Sequence, residues 1–400
     1  MNSYSFKDLS FCLSFSFMLL FPYENQELKL LLIILGLICA IIKKQIKSNI
    51  TLLKWSFIYI LCNFIPYMIG LIYNNPGVLY YSNTYFVWPI LYTLVFFSVD
   101  DNFYWLFHKV MVICTWIVVA IGLIAFFYFN VNLIVDGTFW GIKPTMRPGF
   151  PFITISDGCV DSIIFLYSYL IVYSIQNNRY NLTLLVLCFI FIFTTSSRII
   201  YVILFLSVIL YLFFEYKVNK NTRNIQKLGT LMLVVLLCCI IVVIATSYMK
   251  LFAITDILDF FSEVSEQSDS YRTEQYYALI KGWSAYPLLG NGTGVNAEVV
   301  RSTLIPGMYE LTYIAILFER GVLGFIVYIG LLLFLSIKSI HLCRCCAVNQ
   351  RYLFPNLVAL NMMLVANITN NYTQCFDYIW MLFILFPLFK KDKNENMYRS

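Results

Sequence analysis

The stretch Leu106-Phe-His-Lys-Val-Met-Val-Ile-Cys-Thr-Trp-Ile-Val-Val-Ala-Ile-Gly-Leu-Ile-Ala-Phe-Phe-Tyr-Phe129 decides the fold class. From Val110 onward it runs 20 residues without a charge. A helix of about 20 mostly apolar residues spans the hydrocarbon core of a bilayer. Similar runs recur at 9–22, 27–42, 52–73, 83–98, 158–176, 181–197, 198–214, 228–249, 321–341, 352–370 and 375–390. The pattern predicts an all-α polytopic transmembrane helical bundle of about 12 spans. Residues Leu9 to Leu20 resemble a signal-peptide core, but no small-residue cleavage site follows, so they read as a retained first helix.

The whole chain agrees with this run. Of its 400 residues, 60% are hydrophobic and 12% charged, and the mean hydropathy is +0.78. Soluble domains carry roughly 25% charge. The net charge of +6 sits in short loops rather than in a basic stripe, so nucleic acid is not an expected partner. Most of the 12 cysteines fall in apolar runs, where cysteine is a small hydrophobe. The His341-Leu-Cys343-Arg-Cys345-Cys346 cluster fits no standard zinc spacing, and no metal or cofactor is expected.

Lysine and arginine favour the cytoplasmic side of membrane proteins. With the N-terminus inside, 18 of the 27 Lys+Arg fall in inside segments, and Asp+Glu split 6 inside to 15 outside. Both termini are therefore expected in the cytoplasm. The chain divides into N-terminal spans 1–5 (1–129), an outer loop (130–157), spans 6–9 (158–249), a large outer loop (250–320) and C-terminal spans with a tail (321–400). A loop as long as 250–320 is usually functional. No internal repeat is visible, which weakens a transporter reading.

Arginine is unusual on the outside. Arg198 follows Thr194-Thr-Ser-Ser197 at a junction of two spans. Charges at membrane depth are costly and mark functional candidates. The alternative is a snorkelling interface anchor. Arg272 lies in Ser270-Tyr-Arg-Thr-Glu-Gln275, ahead of an amphipathic stretch from Tyr276 to Trp283. Tyr286-Pro-Leu-Leu-Gly-Asn-Gly-Thr-Gly294 follows, where glycines permit turns and expose N–H groups, or form a plain loop. Glu310 heads the next apolar helix, as a general base or a helix-start acid. Arg147-Pro-Gly-Phe-Pro-Phe152 is a rigid turn carrying a cation, and Arg301 is a further cation. No histidine maps outside, which excludes a histidine-based triad there. Asp256, Asp259, Glu263, Glu266 and Asp269 allow a two-carboxylate hydrolase but read as a solvated acidic face.

At these residues the sequence resembles the O-antigen polymerase and ligase superfamily of bacterial envelopes. The landmarks, in order, are Arg147-Pro-Gly-Phe-Pro-Phe152, Thr195-Ser-Ser-Arg198, the large loop with Tyr271-Arg272 and Pro287-Leu-Leu-Gly290, and Glu310 leading into Glu319-Arg-Gly321-Val-Leu-Gly324. The resemblance implies a GT-C-like, metal-independent glycosyltransferase of the bacterial inner membrane. Its substrate would be an oligosaccharide on undecaprenyl diphosphate, presented at the periplasmic face. It maps two essential arginines onto Arg198 and Arg272, and implies membrane lipid and a chain-length-regulating membrane protein as partners. Arg147, Arg301, Tyr271, Tyr276, Gly290 and Gly292 are the expected substrate-binding residues, and Tyr277, Trp283 and Tyr309 either stack on sugars or anchor the interface. The ligase branch is expected to carry histidine where this chain has Glu310, which favours the polymerase branch. A ligase and a lipid-linked sugar flippase are the alternatives.

Overall fold

A computed structural model describes residues 5–146, 152–176, 182–214, 216, 265–300, 306–345 and 350–389. Its helices in chain order are α1 (Phe6–Leu20), α2 (Gln26–Ile42), α3 (Ile50–Ile72), α4 (Trp88–Ser98), α5 (Asp101–Val131), α6 (Ile163–Gln176), α7 (Leu182–Thr194), α8 (Arg198–Phe214), α9 (Ser265–Ala285), α10 (Thr312–Cys345), α11 (Gln350–Ala366) and α12 (Phe376–Ile379). The predicted span 228–249 lies outside the described residues.

Helix starts follow capping chemistry. Asn49 accepts from Thr51 N at 3.0 Å to open α3, and Asp100 accepts from Asn102 N at 3.0 Å to open α5. α5 therefore begins five residues before the apolar run. Among the described residues, three helices are long and apolar enough to cross a membrane: Ile50–Ile72, Asp101–Val131 and Thr312–Cys343. The other apolar helices are shorter, and 17 residues, as in α2, α8 and α11, rise about 26 Å.

Two departures from the sequence pattern have physical causes. The predicted span 375–390 is not one regular helix; it breaks into α12 and short 3₁₀ turns. It is buried throughout the bundle centre, with Trp380 against Phe15, Phe107 and Phe165. Side chains hydrogen-bond its backbone carbonyls: Tyr92 donates to Phe376 O at 2.7 Å, Tyr104 to Ile384 O at 2.6 Å and Asn49 to Phe386 O at 3.3 Å. Buried carbonyls need partners, and these donors satisfy an irregular path. The loop before α6 also contains a small antiparallel hairpin, β1 (Lys143–Thr145) with β2 (Thr154–Ser156).

Among the described residues, connecting turns gather at two ends of the bundle. At one end Lys7 donates to Ser98 O at 2.6 Å and Lys47 N to Phe97 O at 2.9 Å. The opposite end collects the turn after α1, the β-hairpin, the turn before α8 and the turn after α11. Phe21 packs on Trp140, Ser196 N donates to Ile155 O at 2.9 Å, Tyr23 N donates to Asp377 at 2.7 Å, and Tyr372 donates to Asp161 at 3.1 Å.

Candidate active site

A layer at this second end is built on α9. Its buried residues Gln275, Ala278 and Leu279, with Gly282, recur at helical spacing and face the first part of α10. A Cβ on Gly282 would lie 2.4 Å from the Phe318 ring, so glycine lets this helix approach. Leu279, Tyr309, Ala315 and Phe318 form a small core separate from that of the bundle.

That packing brings Arg272 to Glu310. Arg272 Nε donates to Glu310 Oε2 at 2.5 Å, with the side chains 34% and 9% exposed. One helical turn along α9, the carboxamide of Gln275 accepts from Glu310 N at 3.1 Å and Leu311 N at 3.5 Å. Gln275 thus partners N–H groups at the head of α10, the work an N-cap does within one helix. Beside the ion pair, Arg272, Thr273, Tyr276, Tyr277 and Leu311 line a shallow depression of about 270 Å³. A partly exposed arginine and aromatic rings meet there.

The glycine loop has a different role from the one expected. α10 breaks at Gly321, where φ is 62°. Four backbone groups around the break bond to the loop instead of to each other. Asn291 N donates to Phe318 O at 3.0 Å and Gly292 N to Glu319 O at 2.9 Å. Val322 N donates to Pro287 O at 2.9 Å and Leu323 N to Leu288 O at 3.2 Å. The N–H of Gly290 goes to Tyr286 O at 2.9 Å. Gly290 and Gly292 therefore direct their N–H groups into the protein, not outward. Their positive φ values and near-contact with the backbones of Glu319 and Gly70 require the missing Cβ.

The other expected residues divide. Tyr271 is half-buried and Tyr276 exposed, both on α9 with Arg272. Tyr309 is buried; burial raises its phenol above the ordinary value, and its hydroxyl donates to Val295 O at 2.7 Å while accepting from Ala297 N. Trp283 donates to Pro287 O at 3.0 Å. Both therefore brace the loop. Arg198 opens α8 at the same end of the bundle, after a turn bridged to β2. Arg147, Arg301, Asp256, Asp259 and Glu263 lie outside the described residues. The structure thus joins Arg272 with Glu310 and sets Arg198 on a separate element of the same end.

Three further residues matter: Gln275, not singled out from sequence, and Glu319 and Arg320, named there only as part of a landmark. Gln275 had no signal beyond lying one turn after Arg272. Glu319 is buried and accepts from Gly294 N at 3.1 Å. Arg320 is buried with its guanidinium 5.2 Å from the Tyr85 ring and 5.3 Å from that of Tyr328, a cation–π arrangement. Their position beside Gly321 was the available clue.

Residues 183–329 match the family described as O-antigen ligase, a span that includes Arg198, Arg272, Glu310 and Gly321. No curated protein matches the chain. Together with the membrane-capable helices, the match marks an integral membrane protein that carries, over residues 183–329, a segment similar to the O-antigen ligase family.

Proposed function

We propose that the chain is a repeat-unit polysaccharide polymerase, joining oligosaccharides carried on undecaprenyl diphosphate at the periplasmic face of the bacterial inner membrane. The observation that carries this reading is the Arg272–Glu310 pair, held beside an open depression within the matched span. Transfer breaks the bond between the anomeric carbon and the diphosphate oxygen, and the electron pair leaves with the diphosphate. The acceptor hydroxyl forms the new bond and loses its proton. Guanidinium groups stabilise the diphosphate charge as it develops. Arg272 and Arg198 take that role, Glu310 takes the proton, and attack opposite the diphosphate inverts the anomeric carbon.

The ion pair adds a step to this scheme. A sugar cannot sit between groups that are 2.5 Å apart. The incoming diphosphate competes with Glu310 for the Arg272 guanidinium, and the displaced carboxylate turns to the acceptor hydroxyl. Substrate binding and base release are then one event. Glu310→Gln tests it: transfer falls while lipid-diphosphate binding persists. Unaltered turnover in that variant would reduce Glu310 to a helix-start acid.

The matched family's description favours a ligase as the second reading. Glu310 in place of the histidine implied for that branch favours the polymerase. Purified protein given a lipid-diphosphate repeat unit alone should form dimers and longer chains. Product formed only when a lipid A core acceptor is added would identify a ligase.

A further inference from the structure

The end of the bundle opposite the depression carries cations that no carboxylate balances. Between α2 and α3 the chain reads Lys43-Lys-Gln-Ile-Lys-Ser-Asn49, and Lys54 follows in the second turn of α3. All four lysines are exposed. Among the described residues none of them pairs with a carboxylate, and neither does Lys338 on α10. The carboxylates of Asp8 and Asp100 turn instead to Lys7, at 3.5 and 3.9 Å. Lys43, Lys44 and Lys47 fall within five residues and repel one another, so a single anion at this surface is attracted by all three.

The loop that carries them has a fixed backbone. Lys44 N donates to Ile41 O at 3.0 Å, Gln45 N to Ala40 O at 2.8 Å and Lys47 N to Phe97 O at 2.9 Å. Asn49 closes it, capping α3 and donating to Phe386 O at 3.3 Å. A backbone set in advance lowers the ordering cost of binding.

Apolar side chains flank the charge. Ile42 is 74% exposed, Ile50 69% and Phe57 66%. Next to Lys54, Trp55 stacks on Phe334 at 6.4 Å. One turn further along α10, Lys338 Nζ stands 5.4 Å from the Phe334 ring and 5.1 Å from the Phe389 ring. Lys54 and Lys338 thus stand on the two helices of one aromatic seam. Lysines that only set the orientation of a membrane protein need to stay on one side of the bilayer. They need neither a fixed backbone nor a seam. An anionic head joined to apolar tails uses both the lysines and the exposed isoleucines.

We infer that the α2–α3 loop and the α3–α10 seam bind an anionic phospholipid, phosphatidylglycerol, at the end of the bundle opposite the depression. This inference does not depend on the transferase reading.

The test is native mass spectrometry of the whole chain in detergent, titrated with phosphatidylglycerol or with phosphatidylcholine of the same acyl chains. Phosphatidylglycerol should be retained about tenfold more strongly. Replacing Lys43, Lys44, Lys47 and Lys54 together by Gln should bring it down to the phosphatidylcholine level, and each single replacement should remove part of that preference. All four side chains are exposed, so the fold should survive. Lys143→Gln and Lys281→Gln, at exposed lysines already paired with Asp157 and Glu298, should change nothing. Free glycerol phosphate at the same concentration should not displace the lipid.

Equal retention of the two lipids, or a fourfold variant that keeps the preference, would overturn the site. So would an equal loss in the Lys143→Gln and Lys281→Gln controls, which would reduce the effect to overall charge. Displacement by glycerol phosphate would overturn the lipid assignment, because the tails would then contribute nothing.

Discussion

Two ion pairs at the same end of the bundle share their chemistry and differ in their surroundings. Lys29 and Asp377 meet at 2.6 Å with both side chains fully buried. Lys29 also donates to Phe21 O at 2.7 Å and lies 5.2 Å from the Phe376 ring, while Asp377 accepts from Tyr23 N. Arg272 and Glu310 meet as closely, but a third of the arginine side chain is exposed beside a depression. A buried pair is tolerated only when further hydrogen bonds satisfy both charges. Lys29–Asp377 meets that condition and locks the α1–α2 turn to the start of α12. Arg272–Glu310 borders the depression with 34% of the arginine side chain exposed, and the proposed exchange of an anion with the carboxylate would take place there. Exposure, not distance, separates the lock from the site.

Lys29→Met should show the largest effect, because it strands Asp377 in the interior. A loss of about 3–5 kcal/mol is expected in denaturant unfolding of the detergent-solubilised protein. Lys29→Met with Asp377→Leu should recover most of it. A single variant as stable as the parent would remove the lock from the comparison.

Arg272→Ala should cost transfer about 10²–10³ in rate, or roughly 3–4 kcal/mol of transition-state stabilisation. Its melting temperature should stay near the parent value. If the protein instead unfolds, the two pairs have the same role and the distinction fails.

Gln275→Ala sharpens the comparison at the smaller end. It leaves the N–H groups of Glu310 and Leu311 without their acceptor, at about 1–3 kcal/mol. Limited proteolysis should cut sooner in 286–311 while the bundle stays protected. Uniform destabilisation of the whole chain would mean that α9 is part of the bundle core.

Sequence periodicity located the helices well because long uncharged runs have few other solutions in a membrane protein. It misjudged 375–390, whose apolar composition suits a lipid-facing helix and an irregular buried strand of chain equally. Only the donors Tyr92, Tyr104 and Asn49, distant in sequence, decide between them. Arg272 and Glu310 were each legible as charges in unusual places. Their contact was not, since 38 residues separate them. Gln275 carries no charge and matches no motif, and its meaning comes entirely from what it faces. The hairpin escaped notice because strands of three residues leave almost no alternation to read.

The joint at Gly321 has a consequence for how this chain can vary. A helix opened there and resealed by backbone from 287–292 is held through peptide groups, which every amino acid except proline can supply. Leu288 and Leu289 are exposed and can change freely. Adding or removing one residue between Pro287 and Gly292 would shift every bond out of step. Across divergent copies of such a joint, the spacing within 287–292 and within 318–323 would persist long after the letters had drifted.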